Sequence, residues 1–273
     1  MHPKHLLERH GLEPKKSLGQ NFLFDEGLLA RIVSAADLAP EDEVLEVGPG
    51  LGALTRQLAG AAARVVAVEL DGRLLPVLEA QVAGAENVEI VHADILELDP
   101  ADWFAGPYKV VANVPYYITG AILRHLLGGR PKPRTLVLTV QREVADRLAA
   151  TPPDMSLLAV SVGYYGRARL VGTVKAGAFW PRPDVDSAIV RIDVDSRHLG
   201  GAEAGENPEE AQFFRVVRAG FSEKRKQLKN NLRQLGLGDE VIAAALEAAE
   251  IDGRRRAETL SVLEWERLAE QLG

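Results

Sequence analysis

The first half of this chain alternates short apolar runs with helix-length stretches, and each run stops on a glycine or a polar residue. Glu43-Val44-Leu45-Glu46-Val47 reads as a strand leading into Gly48-Pro49-Gly50-Leu51-Gly52, a tight glycine turn. A helix follows from Ala53 to Ala61, with Leu54 and Leu58 on one face. Arg64 to Val68 is a second strand, ending at Glu69, and Leu74 to Val82 a second helix. Val88 to His92 and Tyr108 to Ala112 are further strands, running into Asp94 and Asn113. Strands and helices alternating at this spacing predict a parallel, doubly wound sheet, in which ligands bind beyond the carboxyl ends of the strands. Gly48, Glu69, Asp94 and Asn113 each stand just past such an end, so the pattern gathers them in one crevice.

The glycine turn selects among ligands. A dinucleotide fingerprint is G-x-G-x-x-G, with the helix N-terminus facing a pyrophosphate. Here the spacing is one residue short, and Pro49 removes a backbone N–H that a phosphate would use. Glu46 precedes the turn and would repel a phosphate but favour a cation. S-adenosylmethionine carries a sulfonium and an ammonium. Glu69 suits its two ribose hydroxyls and Asp94 its adenine amine, so the turn favours this methyl donor over NAD.

Asn113-Val114-Pro115-Tyr116 closes the fourth strand. The Asn carboxamide oxygen can accept from an amine. Pro115 fixes its own φ and pushes Val114 towards an extended shape, which can turn the Val114 carbonyl outward as a second acceptor. Tyr116 offers a flat face for a planar ring, and Phe179 could close the other side. Taken alone, the tetrapeptide is equally a strand ending in an Asn-x-Pro turn. Beside a methyl donor, two acceptors and an aromatic face suit the exocyclic amine of an unstacked nucleobase.

Before the sheet, 4–10 reads as a short helix stopped at Gly11, and 15–23 as a loop folded over something. Asp25 is expected to cap a helix through Ala39. After the fourth strand come a helix (118–127), a strand (135–140) and two more helices (142–149 and 157–164). Two strands (170–175 and 188–193) then form an antiparallel edge pair flanking the proline-stiffened loop Ala178 to Pro183. The expected organisation is a catalytic domain over 1–195, a Gly- and acid-rich linker over 196–208, and a helical domain over 209–273.

The chain is acidic, with a formal net charge of −7, yet its cations are clustered. Residues 215–233 contain Lys224, Arg225, Lys226, Lys229 and Arg233, a local basic face on a helical segment that suits selective docking and equally an ordinary solvated face. Smaller clusters are Arg124, Arg130, Lys132 and Arg134, and Arg254-Arg255-Arg256. The absence of cysteine excludes disulfides and thiolate chemistry and makes a cytoplasmic setting the default. The six histidines show no metal-ligand spacing. No stretch is apolar enough to span a membrane, and nothing requires a dimer, so a monomer is expected.

Six segments stand in one order: Leu18-Gly19-Gln20-Asn21-Phe22-Leu23, Glu46-Val47-Gly48-Pro49-Gly50, Asn113-Val114-Pro115-Tyr116, Phe179-Trp180-Pro181-Arg182-Pro183 with Asp184-Val185-Asp186-Ser187, the run Phe221 to Leu232, and Arg256-Ala257-Glu258-Thr259-Leu260. Together they resemble the rRNA adenine N6,N6-dimethyltransferase family over essentially the whole chain. The resemblance implies a Rossmann-like S-adenosylmethionine-dependent methyltransferase sheet with an antiparallel edge hairpin, plus a small all-helical C-terminal domain. It implies that Asn21, Leu23, Gly48, Glu69, Asp94 and Asn113 line the S-adenosylmethionine site, with the N-terminal segment closing over the donor. It implies that Asn113, Val114, Pro115, Tyr116 and Phe179 handle the target adenine. With this resemblance, the basic face of Lys224, Arg225, Lys226, Lys229 and Arg233 is expected to contact RNA phosphates. The branch most similar acts on two adjacent adenosines near the 3′ end of 16S rRNA in the immature 30S subunit. That branch usually has Leu after the Asn, and the 23S rRNA resistance methyltransferases usually have Ile. Val114 matches neither. Methylation of a 23S rRNA adenine, and a mainly non-catalytic assembly role, are the alternatives.

Overall fold

A computed structural model describes residues 2–199 and 208–273, apart from the side chain of Tyr116. In chain order the elements are α1 (Pro3–Arg9), β1 (Phe22–Leu23), α2 (Glu26–Ala36), β2 (Glu43–Val47), α3 (Ala53–Ala59), β3 (Arg64–Glu69), α4 (Leu75–Gln81), β4 (Val88–His92) and β5 (Lys109–Asn113). They continue with α5 (Thr119–Gly128), β6 (Thr135–Gln141), α6 (Arg142–Leu148), α7 (Leu157–Tyr165), β7 (Gly166–Val174), β8 (Phe179–Trp180) and β9 (Ser187–Val194). The last are α8 (Ser196–Leu199), α9 (Pro208–Gly220), α10 (Leu228–Leu232), α11 (Asp239–Ala248) and α12 (Val262–Gln271). Of the expected linker, 196–199 is α8, and 200–207 lies outside the described residues.

The main sheet has the order β4-β3-β2-β5-β6-β9-β7. Strands β4, β3, β2, β5 and β6 are parallel to their neighbours, while β9 runs antiparallel to β6 from Thr135↔Asp193 to Gln141↔Ser187. The expected edge pair is present, with β9 inside and β7 outermost. Central strands covered on both faces need near-continuous apolar runs. Accordingly Val110, Val111 and Ala112 of β5, and Leu136, Val137 and Leu138 of β6, are fully buried. On one face Val44, Val65, Val111, Val137 and Ile189 pack with Leu29, Ile32, Leu54 and Leu58 from α2 and α3.

Asp25 caps α2, accepting from the Leu28 N–H at 2.9 Å. That helix stops three residues short of Ala39, because Asp37 turns left-handed at φ 50°. A larger difference lies in the loops expected at 15–23 and 178–183. Their ends pair as a two-stranded antiparallel sheet, Phe22↔Trp180 and Leu23↔Phe179. Two residues per strand leave no periodicity to read, so only the tertiary fold reveals it.

The chain divides into two compact units. One holds the sheet and runs to Asp146, resuming at Arg167; the other joins Arg147–Gly166 to the helices beyond residue 207. Helix α7, inside the stretch 1–195, thus packs with the C-terminal helices. Its Tyr164 ring stacks on Phe213 at 4.2 Å, and the Tyr165 hydroxyl donates to Glu210 at 2.5 Å. In this unit Trp265 is fully buried, and a Cβ on Gly220 would stand 2.3 Å from its ring, so α9 ends on a residue that must be glycine.

Candidate active site

The strand order reverses between β2 and β5, which is where a doubly wound sheet opens a crevice. The β2–β5 ladder covers only Val44↔Lys109 and Leu45↔Val110, whereas β2 stays paired with β3 through Val47↔Val68. One cavity lies at these ends, and Asn21, Leu23, Gly48, Glu69, Asp94, Asn113, Val114 and Pro115 all line it.

The floor is the glycine turn held to a buried carboxylate. Gly50 has φ 57°, and its N–H donates to Glu69 Oε2 at 2.9 Å. The Asp71 N–H donates to Glu69 Oε1 at 2.8 Å. A Cβ at Gly50 would meet the Phe22 ring at 3.1 Å, so glycine serves both the left-handed turn and the close approach. Each Glu69 oxygen keeps a further lone pair for a ligand hydroxyl. Burial raises the Glu69 carboxyl above its ordinary value, and the two backbone N–H bonds work against that rise. Asp94 caps a single turn, accepting from the Leu96 N–H at 2.9 Å.

The N-terminal segment supplies the other wall. Helix α1 is anchored by Leu6 and Leu7, which cluster with Phe22, Leu51, Leu74 and Val77. Farther along, the Gln20 Nε2 donates to Asp71 Oδ2 at 2.9 Å, and the Asn21 Nδ2 to the Gly19 carbonyl at 3.0 Å. The Asn113 Nδ2 donates to the Asn21 carbonyl at 3.1 Å. Because a carbonyl only accepts, that bond fixes which end of the Asn113 amide is nitrogen and leaves Oδ1 as its available acceptor. Val114 is 2% exposed and Pro115 has φ −59°.

Of the two aromatic expectations, only Phe179 falls on a described side chain. The Tyr116 side chain lies outside the described residues. Phe179 does not line the cavity: it is 3% exposed and packs in the core with Leu29 and Ile32. Its backbone pairs with that of Leu23, and both side chains belong to the same buried cluster. Tyr117, to which no sequence motif points, lines the cavity and is 61% exposed. A Cβ at Gly19 would lie 3.4 Å from its ring, so Tyr117 stands against the covering segment.

Glu46 also differs from its sequence description. It is 1% exposed, and its Oε2 has no hydrogen-bond partner. Burial pushes its carboxyl up to about 8; the Thr55 hydroxyl, near but outside hydrogen-bonding geometry, offsets part of the rise, and the Glu69 charge adds to it. Burial thus favours the neutral form of Glu46 near neutrality, and a cation beside it would favour the carboxylate. An orphaned buried oxygen, a carboxylate with spare lone pairs and a turn lacking one N–H form a donor set that fits a cationic nucleoside better than a diphosphate. Ligand binding at pH 7 should expel up to one proton from Glu46, and affinity should rise with pH and level off above about 8. Calorimetry in buffers of different ionisation enthalpy measures this, and Glu46→Gln should abolish the proton release. Without ligand, the raised carboxyl makes stability fall as pH climbs from 4.5 towards 8, a slope the same substitution should flatten.

The basic residues separate by partner. Lys224, Arg225 and Lys226 do not lie on a helix: α9 ends at Gly220 and α10 starts at Leu228. The turn between them is tied by Asn231, whose Nδ2 donates to the carbonyls of Gly220 at 2.6 Å and Glu223 at 3.0 Å. Lys224, Arg225, Lys226, Lys229 and Arg233 are all exposed. Lys226 pairs with Glu223 at 2.7 Å, and Arg233 is held by both oxygens of Asp239 at 2.7 Å each. Two lesser clusters are largely occupied. Lys132 is buried against the Leu127 carbonyl, Arg254 is chelated by Asp252, and Arg255 is paired with Glu264.

Fold and cavity together define an S-adenosylmethionine-dependent methyltransferase. The sequence profile of the family described as ribosomal RNA adenine dimethylase matches residues 11–272. The chain belongs to that family. It is 47% identical over 268 residues to the ribosomal RNA small subunit methyltransferase A of Dehalococcoides mccartyi strain CBDB1, covering 97% of this chain and 90% of the relative. The protein of the same name from Geobacillus thermodenitrificans is 45% identical over 282 residues, covering 98% and 94%. Among solved structures, the 23S rRNA methyltransferase ErmE superposes with a TM-score of 0.72 at 32% identity, over 92% of this chain and 99% of that one. A dimethyladenosine transferase from Plasmodium falciparum shares the fold, with a TM-score of 0.77 at 24% identity over 90% and 95%.

Proposed function

We propose that this protein dimethylates N6 of two adjacent adenosines near the 3′ end of 16S rRNA, acting as a monomer on the immature 30S subunit. The observation that carries the reading is the Asn113 amide, whose nitrogen is held by the Asn21 carbonyl so that its oxygen is left for a ligand amine. The relatives named for the small subunit support the choice of rRNA.

Asn21, Leu23, Gly48, Glu69, Asp94 and Asn113 would hold S-adenosylmethionine, with Glu69 accepting from the ribose and Asp94 from the adenine. When bound, it supplies a methyl group activated by a sulfonium. An aromatic amine is a poor nucleophile because its lone pair is delocalised into the ring. Asn113 Oδ1 and the Val114 carbonyl accept from N6–H₂, draw the amine out of the ring plane and stabilise the positive charge that grows on nitrogen. No strong base is needed, because the alkylated ammonium is acidic and gives its proton to water. Tyr116 would stack on the unpaired base.

The test is transfer of labelled methyl to purified unmethylated small subunits and, in parallel, to large subunits. Label in small subunits alone is expected; label in large subunits alone would move the assignment to 23S rRNA. The exposed turn Lys224-Arg225-Lys226 would contact rRNA phosphates. Neutralising all three should weaken rRNA binding by about 10-fold or more at low salt and reduce the slope of log affinity against log salt by roughly 2 to 3. An unchanged slope would return these cations to an ordinary solvated surface.

A further inference from the structure

We propose that Gln20 and Asp71 are positioning residues: their hydrogen bond fastens the N-terminal segment over the methyl-donor site and links Glu69 to Asn113. Asp71 is 4% exposed and has no part in the chemistry described above. Its charge is already met locally by Arg73, whose Nε donates to Oδ1 at 2.9 Å and Nη2 to Oδ2 at 2.6 Å. The bond from Gln20 spans 51 residues of sequence and adds to a charge that Arg73 meets more strongly.

Gln20 spends both ends of its amide. Its Oε1 accepts from the Lys15 N–H at 2.7 Å, and its Nε2 donates to Asp71 at 2.9 Å, so the amide has one orientation and closes the turn from 15 to 20. The adjoining Asn21 carbonyl holds the Asn113 amide at 3.1 Å. On the far side, the backbone N–H of Asp71 holds Glu69 Oε1 at 2.8 Å. The path Glu69–Asp71–Gln20–Asn21–Asn113 therefore runs from the ribose acceptor to the amine acceptor, and its central side-chain link joins two separate parts of the chain. Breaking that link frees the covering segment and lets Asn113 lose its orientation together with the donor site.

The inference rests on the reading that Glu69 and Asn113 face the methyl donor. The experiment exchanges donor and acceptor. Gln20→Glu sets a second carboxylate against Asp71; adding Asp71→Asn turns an amide NH₂ towards that carboxylate and moves the half-exposed Arg73 Nη2 from Asp71 Oδ2 to it, so the link is restored with reversed polarity. The readouts are calorimetric affinity for S-adenosylhomocysteine, hydrogen exchange of the amides from 15 to 21, and the urea midpoint. Gln20→Glu should weaken binding by about 10- to 100-fold and speed exchange in that segment. The double variant should recover to within about threefold of wild type, a rescue that a merely structural contribution of each residue would not produce. Gln20→Ala, which adds no charge, should show the same direction with a smaller loss. Wild-type affinity in Gln20→Glu and Gln20→Ala would overturn the proposal, as would a double variant that keeps its urea midpoint but stays weak. A wild-type protein that fails to bind S-adenosylhomocysteine would instead overturn the placement of the donor site.

Discussion

Replacing Asn113 by alanine should lower kcat for methyl transfer to unmethylated small subunits by about 10²- to 10³-fold, the loss expected when one preorganised partner of a developing charge is removed. Asn113 is partly exposed and makes one side-chain bond, to the Asn21 carbonyl at 3.1 Å, so the stability cost should stay near 1 kcal/mol or less. Asn113→Asp is the sharper variant. It keeps the shape and an acceptor oxygen but cannot donate to Asn21, so two acceptors face each other and the covering segment is pushed away. Activity should fall at least as far as in the alanine variant, accompanied by weaker binding of S-adenosylhomocysteine. A kcat within about threefold of wild type in both variants would remove Asn113 from the chemistry. If subunit maturation continues while methylation stops, docking and catalysis are separable duties of one protein.

Glu69→Ala should cost about 2 kcal/mol of stability or more, because the N–H groups of Gly50 and Asp71 both lose their acceptor. It should also weaken S-adenosylhomocysteine binding by about 100-fold, through loss of the ribose partner and of the hold on the glycine turn. Glu69→Gln discriminates between these causes. An amide has one accepting end, so its NH₂ must confront one of the two backbone donors. Stability should fall between wild type and alanine, while affinity should fall nearly as far as in alanine. Urea unfolding and calorimetry on the three proteins measure both. Equal affinities would detach Glu69 from the methyl donor.

The doubly wound sheet is legible in the sequence because each strand is a short run with its own terminator, and the strand ends by themselves single out Gly48, Glu69, Asp94 and Asn113. Charge patterning finds Lys224 to Lys226 and expects a helix there; α9 instead stops at Gly220, which abuts Trp265 and whose carbonyl Asn231 captures together with that of Glu223 in the following turn. As an aromatic beside a ligand crevice, Phe179 reads in the sequence as a stacking face, whereas in the fold it lies in the buried core. There it pairs with Leu23, 156 positions earlier, and nothing local encodes that contact.

Sequence alone determined the order of elements, the turn that disfavours a diphosphate, and the tetrapeptide that can accept an amine. These are local properties, set by φ restrictions, side-chain chemistry and periodicities of two or 3.6 residues. Tertiary structure alone decided which of those residues act together. It buried Glu46 so that its neutral form is favoured near pH 7, tied Gln20 to Asp71, and oriented Asn113 through the Asn21 carbonyl. Desolvation and long-range hydrogen bonds depend on neighbours distant in the chain, and only the folded molecule brings those neighbours within reach.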